Sequence, residues 1–243
     1  MNIHPEEMSP CKRLYLAMTF EMYFFLIGVP LIFGLWAQFR VSTAFNKYKE
    51  LPATSGATGA EAARRILGDA GIMDVEVVAI DGMLGDHYDP SQKRLCLSTD
   101  VYQGDSIAAV GIAAHECGHA LQHQKNYGPL NLRMSIVPAT QFASQILPFV
   151  IIGGLFFHMV GLINVGIACY VVLMIFQLIT LPVEFDASAR AKVILRQTGI
   201  IRPGQESAGV SAVLNAAALT YVAAFVASLG NLVYLVLARR DAR

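Results

Sequence analysis

The stretch SIAAVGIAAHECGHALQHQ, residues 106–124, carries three of the chain's six histidines at the end of an apolar run. His115 and His119 of its H-E-x-x-H pattern are four positions apart, so both project from the same face of an α-helix. Glu116 lies about 100° away around that helix and can reach a water beside a metal held by the two rings. The stretch therefore predicts two zinc ligands and a general base that takes a proton from the zinc-bound water. An ordinary core helix that carries the pattern by chance is the alternative.

A further histidine, His123, follows His115 by eight positions. On a straight helix it lies about 12 Å along the axis from His115, which is too far for a shared metal ion. We therefore interpret His123 as a group that supports a ligand, faces the substrate or occupies a solvated helix end.

The composition indicates an integral membrane protein with a modest water-exposed part. The chain has 243 residues, of which 55% are hydrophobic and 15% charged, and its mean hydropathy is +0.49. A net charge of zero gives no indication of nucleic acid, and we expect no such partner. The four cysteines have no paired spacing and are predicted to be free thiols.

Three apolar regions are long enough for four membrane crossings. One crossing lies within Leu14–Phe39, two lie within the uncharged block Ile136–Leu181, and one lies within Val210–Leu237. Four crossings place both termini on one side of the bilayer and residues 40–135 and 182–209 on the other. Basic residues near membrane ends are more numerous on that second side, and free thiols suit a reducing compartment, so we expect it to be cytoplasmic.

Upstream of the motif helix, the sequence predicts one helix and a β-hairpin. Thr58 and Glu61 form a capping box at the start of the helix. The predicted strands are DVEVVAI (74–80) and KRLCLS (93–98), joined by the loop 81–92. The edge of the RLCLS strand could pair with an extended substrate.

The hairpin loop carries a cluster of polar side chains, namely Asp86, His87, Tyr88 and Asp89. An acidic loop of this kind forms either a solvated turn or a group beside the metal that contacts substrate. Our candidates for stabilising the oxyanion of a hydrolytic reaction are His87, Tyr88, His123 and Arg190.

The third zinc ligand has few candidates. Four carboxylates follow the motif: Glu184, Asp186, Glu206 and Asp241. A catalytic zinc keeps three protein ligands and one open position, and Asp241 falls on the opposite side of the membrane. Glu184 follows Pro182 at the end of the third crossing, where we expect a new helix to begin, and it shares a helix face with Ser188. We therefore predict Glu184 as the third ligand, with the metal close to the membrane surface.

Four segments resemble the YugP-like neutral zinc metallopeptidases of bacterial membranes and, more distantly, the HtpX-like membrane proteases. These are AAHECGHALQ (113–122), DHYDP (86–90), LPVEFDASARA (181–191) and LNAAALTYVAA (214–224), within a similarity that covers roughly residues 55–237. The resemblance implies one zinc per chain held by His115, His119 and Glu184, a gluzincin-type set, with Glu116 as general base.

The resemblance also raises a question about what supports the histidine ligands. In the HtpX-like enzymes an aspartate four residues after the ligand glutamate supports a histidine ligand, and here that position is Ser188. The support must therefore differ in this chain, and Asp186 and Arg190 are candidates for it.

We expect a mainly α integral membrane protein, with four transmembrane helices and a small α+β zincin-like metallopeptidase domain. The expected parts are an N-terminal transmembrane helix (1–40), the metallopeptidase domain with the HExxH helix (41–135), a transmembrane hairpin (136–183), the helix with the third ligand (184–209), and a C-terminal transmembrane helix with a basic tail (210–243).

The resulting functional hypothesis is a membrane-bound zinc endopeptidase. We expect it to act in a bacterial inner membrane on membrane-proximal polypeptides, with membrane proteins as substrates and the lipid bilayer as its surroundings. An intramembrane zinc protease is one alternative, although no acidic residue lies within 136–181 to serve as a ligand from a crossing. A non-catalytic scaffold with a structural zinc is the other, although structural sites usually have four protein ligands.

Overall fold

Most of the chain is helical in the computed structural model, which describes residues 21–82, 85–157 and 159–241. The strands are β1 (Glu76–Ile80), β2 (His87–Asp89) and β3 (Arg94–Ser98). The helices are α1 (Val29–Lys49, after a π-helical turn at Phe24–Gly28), α2 (Gly59–Asp69), α3 (Thr99–Gln103), α4 (Ile107–Gln124), α5 (Gly128–Ile151, before a π-helical turn at Ile152–Phe156), α6 (Val160–Gln197) and α7 (Gln205–Asp241).

Four helical segments of the described chain are long and apolar enough to cross a membrane. They are Glu21–Lys49, Gly128–Gly154, Val160–Gln197 and Gln205–Arg239, and only 11–17% of the most apolar window of each is buried within the protein. Such apolar surface needs lipid around it, which confirms the predicted mainly α membrane fold with a small α+β part. The part of the first predicted crossing before residue 21 lies outside the described residues.

Two compact units make up the chain. The first contains Met1–Trp36, Pro138–Gln177 and Ala223–Arg243, and the second contains Ala37–Val137 and Leu178–Val222. In the first unit, Ala143 and Leu147 of α5 pack with Cys169 of α6 in a small apolar cluster. The second unit holds the sheet, the motif helix and all the predicted metal ligands.

The motif helix α4 is the centre of the second unit. The Ser106 side chain accepts a hydrogen bond from the Ala109 N–H at its start, and Asn126 adopts a left-handed conformation just beyond its end. Most of its residues are buried, against apolar side chains that include Ile66, Leu67, Leu95, Leu97 and Leu195. A buried polar side chain on this helix must therefore find a partner inside the protein.

The sheet differs from the predicted hairpin. Its order is β1-β3-β2, with β3 parallel to β1 and antiparallel to β2. The predicted loop 81–92 contains β2 and is long enough for the chain to cross back before β3 begins, so β1 and β3 run in the same direction. The RLCLS strand is thus central and almost wholly buried, and it has no free edge for a substrate. The capping box of Thr58 and Glu61 is confirmed.

The predicted start of a new helix after Pro182 is wrong. Helix α6 runs without a break from Val160 to Gln197 and carries Pro182 inside it. A proline removes one backbone hydrogen bond, but a long apolar helix in a membrane retains its other bonds because no water competes for them. Helix α1 likewise continues to Lys49, past residue 40, at which we expected the N-terminal transmembrane helix to end. Glu184 is consequently fixed on a long helix rather than on a helix end.

Gly118 permits the close approach of α4 and α6. A Cβ atom at Gly118 would lie 2.6 Å from the Ala187 carbonyl oxygen and 3.0 Å from the Ala187 Cα. A Cβ atom this close to another backbone would overlap with it sterically, so only glycine allows the two backbones to touch here. Ala187 is three residues from Glu184, and the contact therefore sets the distance between that carboxylate and the motif histidines.

We predict that Gly118→Ala lowers the free energy of unfolding by about 1–3 kcal/mol and weakens metal binding, because the methyl group separates α4 from α6. Thermal unfolding and zinc content of the purified protein in detergent are the measurements. Gly68→Ala is the control, since nothing lies within 4 Å of its added Cβ. Equal behaviour of the two variants would contradict the prediction.

Candidate metal centre

Three predicted ligands converge in the second unit. The Glu184 Oε2 atom lies 3.2 Å from His115 Nε2 and 3.5 Å from His119 Nε2, and one ligand atom from each residue lies within 4.8 Å of the other two. The two rings are nearly perpendicular, at 85°. Zinc with bonds of about 2.0–2.2 Å in a tetrahedral site separates its ligand atoms by roughly 3.4 Å. Both the donor types and their spacing therefore fit a zinc ion.

Glu184 uses its two oxygens differently. Its Oε1 atom accepts a hydrogen bond from Arg133 Nη1 at 2.9 Å, while Oε2 faces the two histidines. The residue is only 2% exposed, and a buried carboxylate is tolerated when a cation and hydrogen bonds compensate its lost hydration. Arg133 thereby holds the carboxylate with one oxygen directed at the candidate metal position.

His119 is oriented by a buried glutamine. The Gln122 amide nitrogen donates to the Val183 carbonyl and to Asp186 Oδ2, each at 2.8 Å. Its amide oxygen must then be the atom that faces His119 Nδ1, at 3.0 Å, and accepts a hydrogen bond from it. With the proton on Nδ1, the His119 Nε2 lone pair points toward Glu184 and is available to a metal.

Ser188 supports the other histidine. Its Oγ lies 3.1 Å from His115 Nδ1, so it occupies the supporting position itself. Asp186 reaches His119 only through Gln122, and Arg190 donates to Asp186 from Nε at 2.6 Å. Of the supporting residues considered from the sequence, Ser188 thus contacts a ligand directly, Asp186 acts through an amide, and Arg190 lies behind Asp186.

The electrostatics of the cluster favour a cation. Burial alone would lower the pKa of His119, but its hydrogen bond to Glu184 and the charges of Glu116 and Glu184 outweigh burial and raise that pKa. The site therefore attracts positive charge to the place where the carboxylates meet the rings, and a divalent metal ion would supply that charge.

A cavity of about 270 Å³ opens onto these residues. Beside the motif side chains and Glu184, it is lined by two groups of residues. The first group comes from strand β2 and the loop around it and consists of Asp86, His87, Tyr88 and Pro90. The second group comes from helices α5 and α7 and consists of Leu130, Arg133, Met134, Val137 and Tyr221. A water and a peptide segment can therefore reach Glu116 from the cavity.

The polar residues of the predicted hairpin loop have different roles: some line this cavity, and others form hydrogen bonds that stabilise the fold. His87 and Tyr88 line the cavity, whereas Asp86 also accepts hydrogen bonds from the backbone and hydroxyl of Ser98. His123 does not line it and instead lies 2.8 Å from the Tyr88 hydroxyl. Burial, followed by nearby acidic charges, raises the pKa of Tyr88 to about 12, so its hydroxyl stays protonated at neutral pH.

The sequence did not identify Arg133, Gln122 and Tyr221 as parts of the site. Arg133 is the only basic residue of α5, and Gln122 follows His119 by three positions on one helix face. Those two signals were visible in the sequence. Tyr221 lies in an apolar helix without any motif around it, and only the tertiary structure brings it to the cavity.

We predict that Gln122→Leu lowers zinc affinity about 10- to 100-fold, because His119 loses its acceptor and Asp186 loses a donor. Competition with a chromogenic chelator measures the affinity. The matched control is Gln124→Leu on the same helix, whose exposed side chain donates a hydrogen bond to the Ala70 carbonyl. A wild-type affinity in Gln122→Leu would show that this amide does not orient the ligand.

Comparison with known proteins agrees with this geometry. The family model described as "Putative neutral zinc metallopeptidase" matches residues 23–240. The chain is 49% identical, over 216 residues, to the "Putative membrane protease YugP" of Bacillus subtilis strain 168, an alignment that covers 89% of this chain and 96% of that protein. No solved structure gives a significant match. The resemblance to the YugP-like family is confirmed, and the chain belongs to the family that this model describes.

Proposed function

We propose that this protein is a membrane-bound zinc endopeptidase in which His115, His119 and Glu184 hold one zinc ion and Glu116 is the general base. The observation that carries the proposal is the convergence of three ligand atoms within 4.8 Å, beside Glu116 on the wall of a cavity. Zinc bound there would supply Lewis acidity, which lowers the pKa of a water and polarises a peptide carbonyl.

Glu116 carries the proton in this reaction. It is 7% exposed and lines the cavity next to His115, so it can accept a proton from the attacking water. The water oxygen forms a bond to the carbonyl carbon, and the bond between that carbon and the amide nitrogen then breaks. Glu116 gives the proton to the departing nitrogen, which leaves as an amine. The loss of this proton restores the Glu116 carboxylate.

The hydrogen-bond donors to the developing oxyanion must line the cavity. His87 and Tyr88 remain candidates, whereas His123 and Arg190 are engaged away from it. Tyr221 joins them, because it lines the same cavity as Glu116 and Glu184. A phenol in this position could donate to an oxyanion without carrying a charge of its own.

The substrate is proposed to be a polypeptide near the membrane. Three of the helices that could cross a membrane each supply a residue to the cavity, namely Arg133 from α5, Glu184 from α6 and Tyr221 from α7. Strand β2 ends the sheet order and contributes His87 and Tyr88, so its outer edge is the place where an extended substrate could pair. We retain a bacterial inner membrane and a cytoplasmic active site as parts of the proposal.

Two observations weigh against the alternatives. An intramembrane protease would carry its motif within a crossing, but α4 is not among the candidate spans of the described chain. A structural zinc would need a fourth protein ligand, and the candidate group found among the described residues has three members. An open position beside a carboxylate favours hydrolysis.

Glu116→Gln should retain the metal and lose at least about 100-fold in activity, because the amide has a similar shape and cannot accept the proton. Zinc content is measured on the purified variant and wild type. Activity is compared by proteomics of membranes that express either form, in which fragments unique to wild type report cleavage. Wild-type cleavage by this variant would exclude Glu116 as the base.

His115→Ala, His119→Ala and Glu184→Ala should each lower the zinc content below one ion per chain, because each removes one of three ligands. His123→Ala is the control and should retain the ion, since its ring contacts Tyr88 rather than the cluster. Zinc is measured on purified protein by mass spectrometry of the metal. Loss of zinc in the control with full zinc in Glu184→Ala would refute the ligand set.

A further inference from the structure

A second cavity adjoins the candidate metal centre on the side of Glu116. It measures about 140 Å³ and shares four lining residues with the first cavity: Asp86, His115, Glu116 and Tyr221. Its remaining lining is wholly apolar and comes from α1, α4 and α7: Val41, Phe45, Ile112, Val213, Leu214 and Ala217. The two cavities therefore adjoin at these four residues, one of which is Glu116.

The lining of this second cavity suits an uncharged apolar group. Phe45, Val213 and Leu214 are each no more than 7% exposed, so the wall is a packed apolar surface. Asp86 accepts hydrogen bonds from the backbone and hydroxyl of Ser98, which compensate for lost hydration of its carboxylate. An apolar cavity of about 150 Å³ holds a benzene-sized molecule, so this one accommodates the side chain of leucine, methionine or phenylalanine.

The chemistry of Glu116 indicates which side chain of the substrate enters the second cavity. This step rests on the proposed function, in which Glu116 gives its proton to the nitrogen of the broken peptide bond. That nitrogen belongs to the residue immediately after the bond, so this residue must lie beside Glu116. The second cavity is lined by Glu116 and His115 but not by His119 or Glu184. It therefore lies where the side chain of that residue would project.

We propose that the apolar cavity is the specificity pocket for the residue immediately C-terminal to the cleaved bond. It selects large apolar side chains over small ones, because burying the additional apolar surface favours leucine over alanine by about 10- to 100-fold in kcat/KM.

The test uses the full-length protein in detergent with zinc. The substrates are fluorophore-labelled hexapeptides Ala-Ala-Gly-Xaa-Ala-Ala, in which Xaa is leucine, phenylalanine or alanine, and products are identified by mass spectrometry. Wild type should cleave before leucine and phenylalanine at least about 10-fold faster than before alanine. Equal rates for leucine and alanine would overturn the proposal.

Variants of the wall locate the preference in this cavity. Ala217→Leu fills it and should abolish the advantage of leucine over alanine, whereas Ala212→Leu, on the same helix and outside both cavities, should preserve that advantage. Where Ala217→Leu does not fold, Val213→Ala enlarges the cavity and should raise the rate ratio of phenylalanine to leucine. An unchanged preference in the folded wall variants would overturn the assignment.

Peptide-binding measurements distinguish a failure of the pocket proposal from a failure of the proposed endopeptidase function. Fluorescence anisotropy of the same peptides with Glu116→Gln needs no cleavage, and the leucine peptide should bind at least about 10-fold tighter than the alanine peptide. Introducing Ala217→Leu into that variant should remove the difference. If wild type cleaves nothing but this binding pattern holds, the endopeptidase proposal fails, while the cavity is still shown to bind large apolar side chains. Equal binding of all three peptides refutes the pocket.

Discussion

The buried Glu184 carboxylate is the constraint on which the second unit depends. At 2% exposure, it would be unfavourable without compensation, and two elements other than its own helix provide it. Arg133 engages one oxygen from α5, and the motif histidines approach the other from α4. Each contact fixes the position of a helix relative to α6, so the electrostatic requirement of one carboxylate also determines the packing around it.

Backbone packing makes that electrostatic arrangement possible. Gly118 lets α4 approach Ala187 of α6, and Gln122 then spans the two helices from His119 to Val183 and Asp186. A larger residue at position 118 would lengthen all these contacts together. The pattern H-E-C-G-H thus encodes both the chemistry of the site and the helix approach that brings in the third ligand.

Features with a local cause could be predicted from the sequence, and features that depend on tertiary packing could not. The helix with His115 and His119 follows from spacing, the four crossings from length and hydropathy, and Glu184 from the scarcity of acidic residues after the motif. The parallel pairing of β1 and β3 was missed because strand direction depends on which strands become neighbours. The continuity of α6 through Pro182 was missed because the surroundings of a helix decide whether it tolerates proline.

Neutral groups, rather than carboxylates, orient both histidines. Ser188 and the Gln122 amide contact the two Nδ1 atoms, while the charge of Asp186 is held one hydrogen bond further away and paired with Arg190. The Asp186–Arg190 pair is partly exposed, with 29% and 24% of the side chains accessible, so it retains part of its hydration. A third carboxylate next to the rings would have to be buried beside Glu116 and Glu184, and it would lack a cation of its own. Serine at position 188 therefore avoids this cost and still fixes the ring, which explains in physical terms how the site dispenses with an aspartate there.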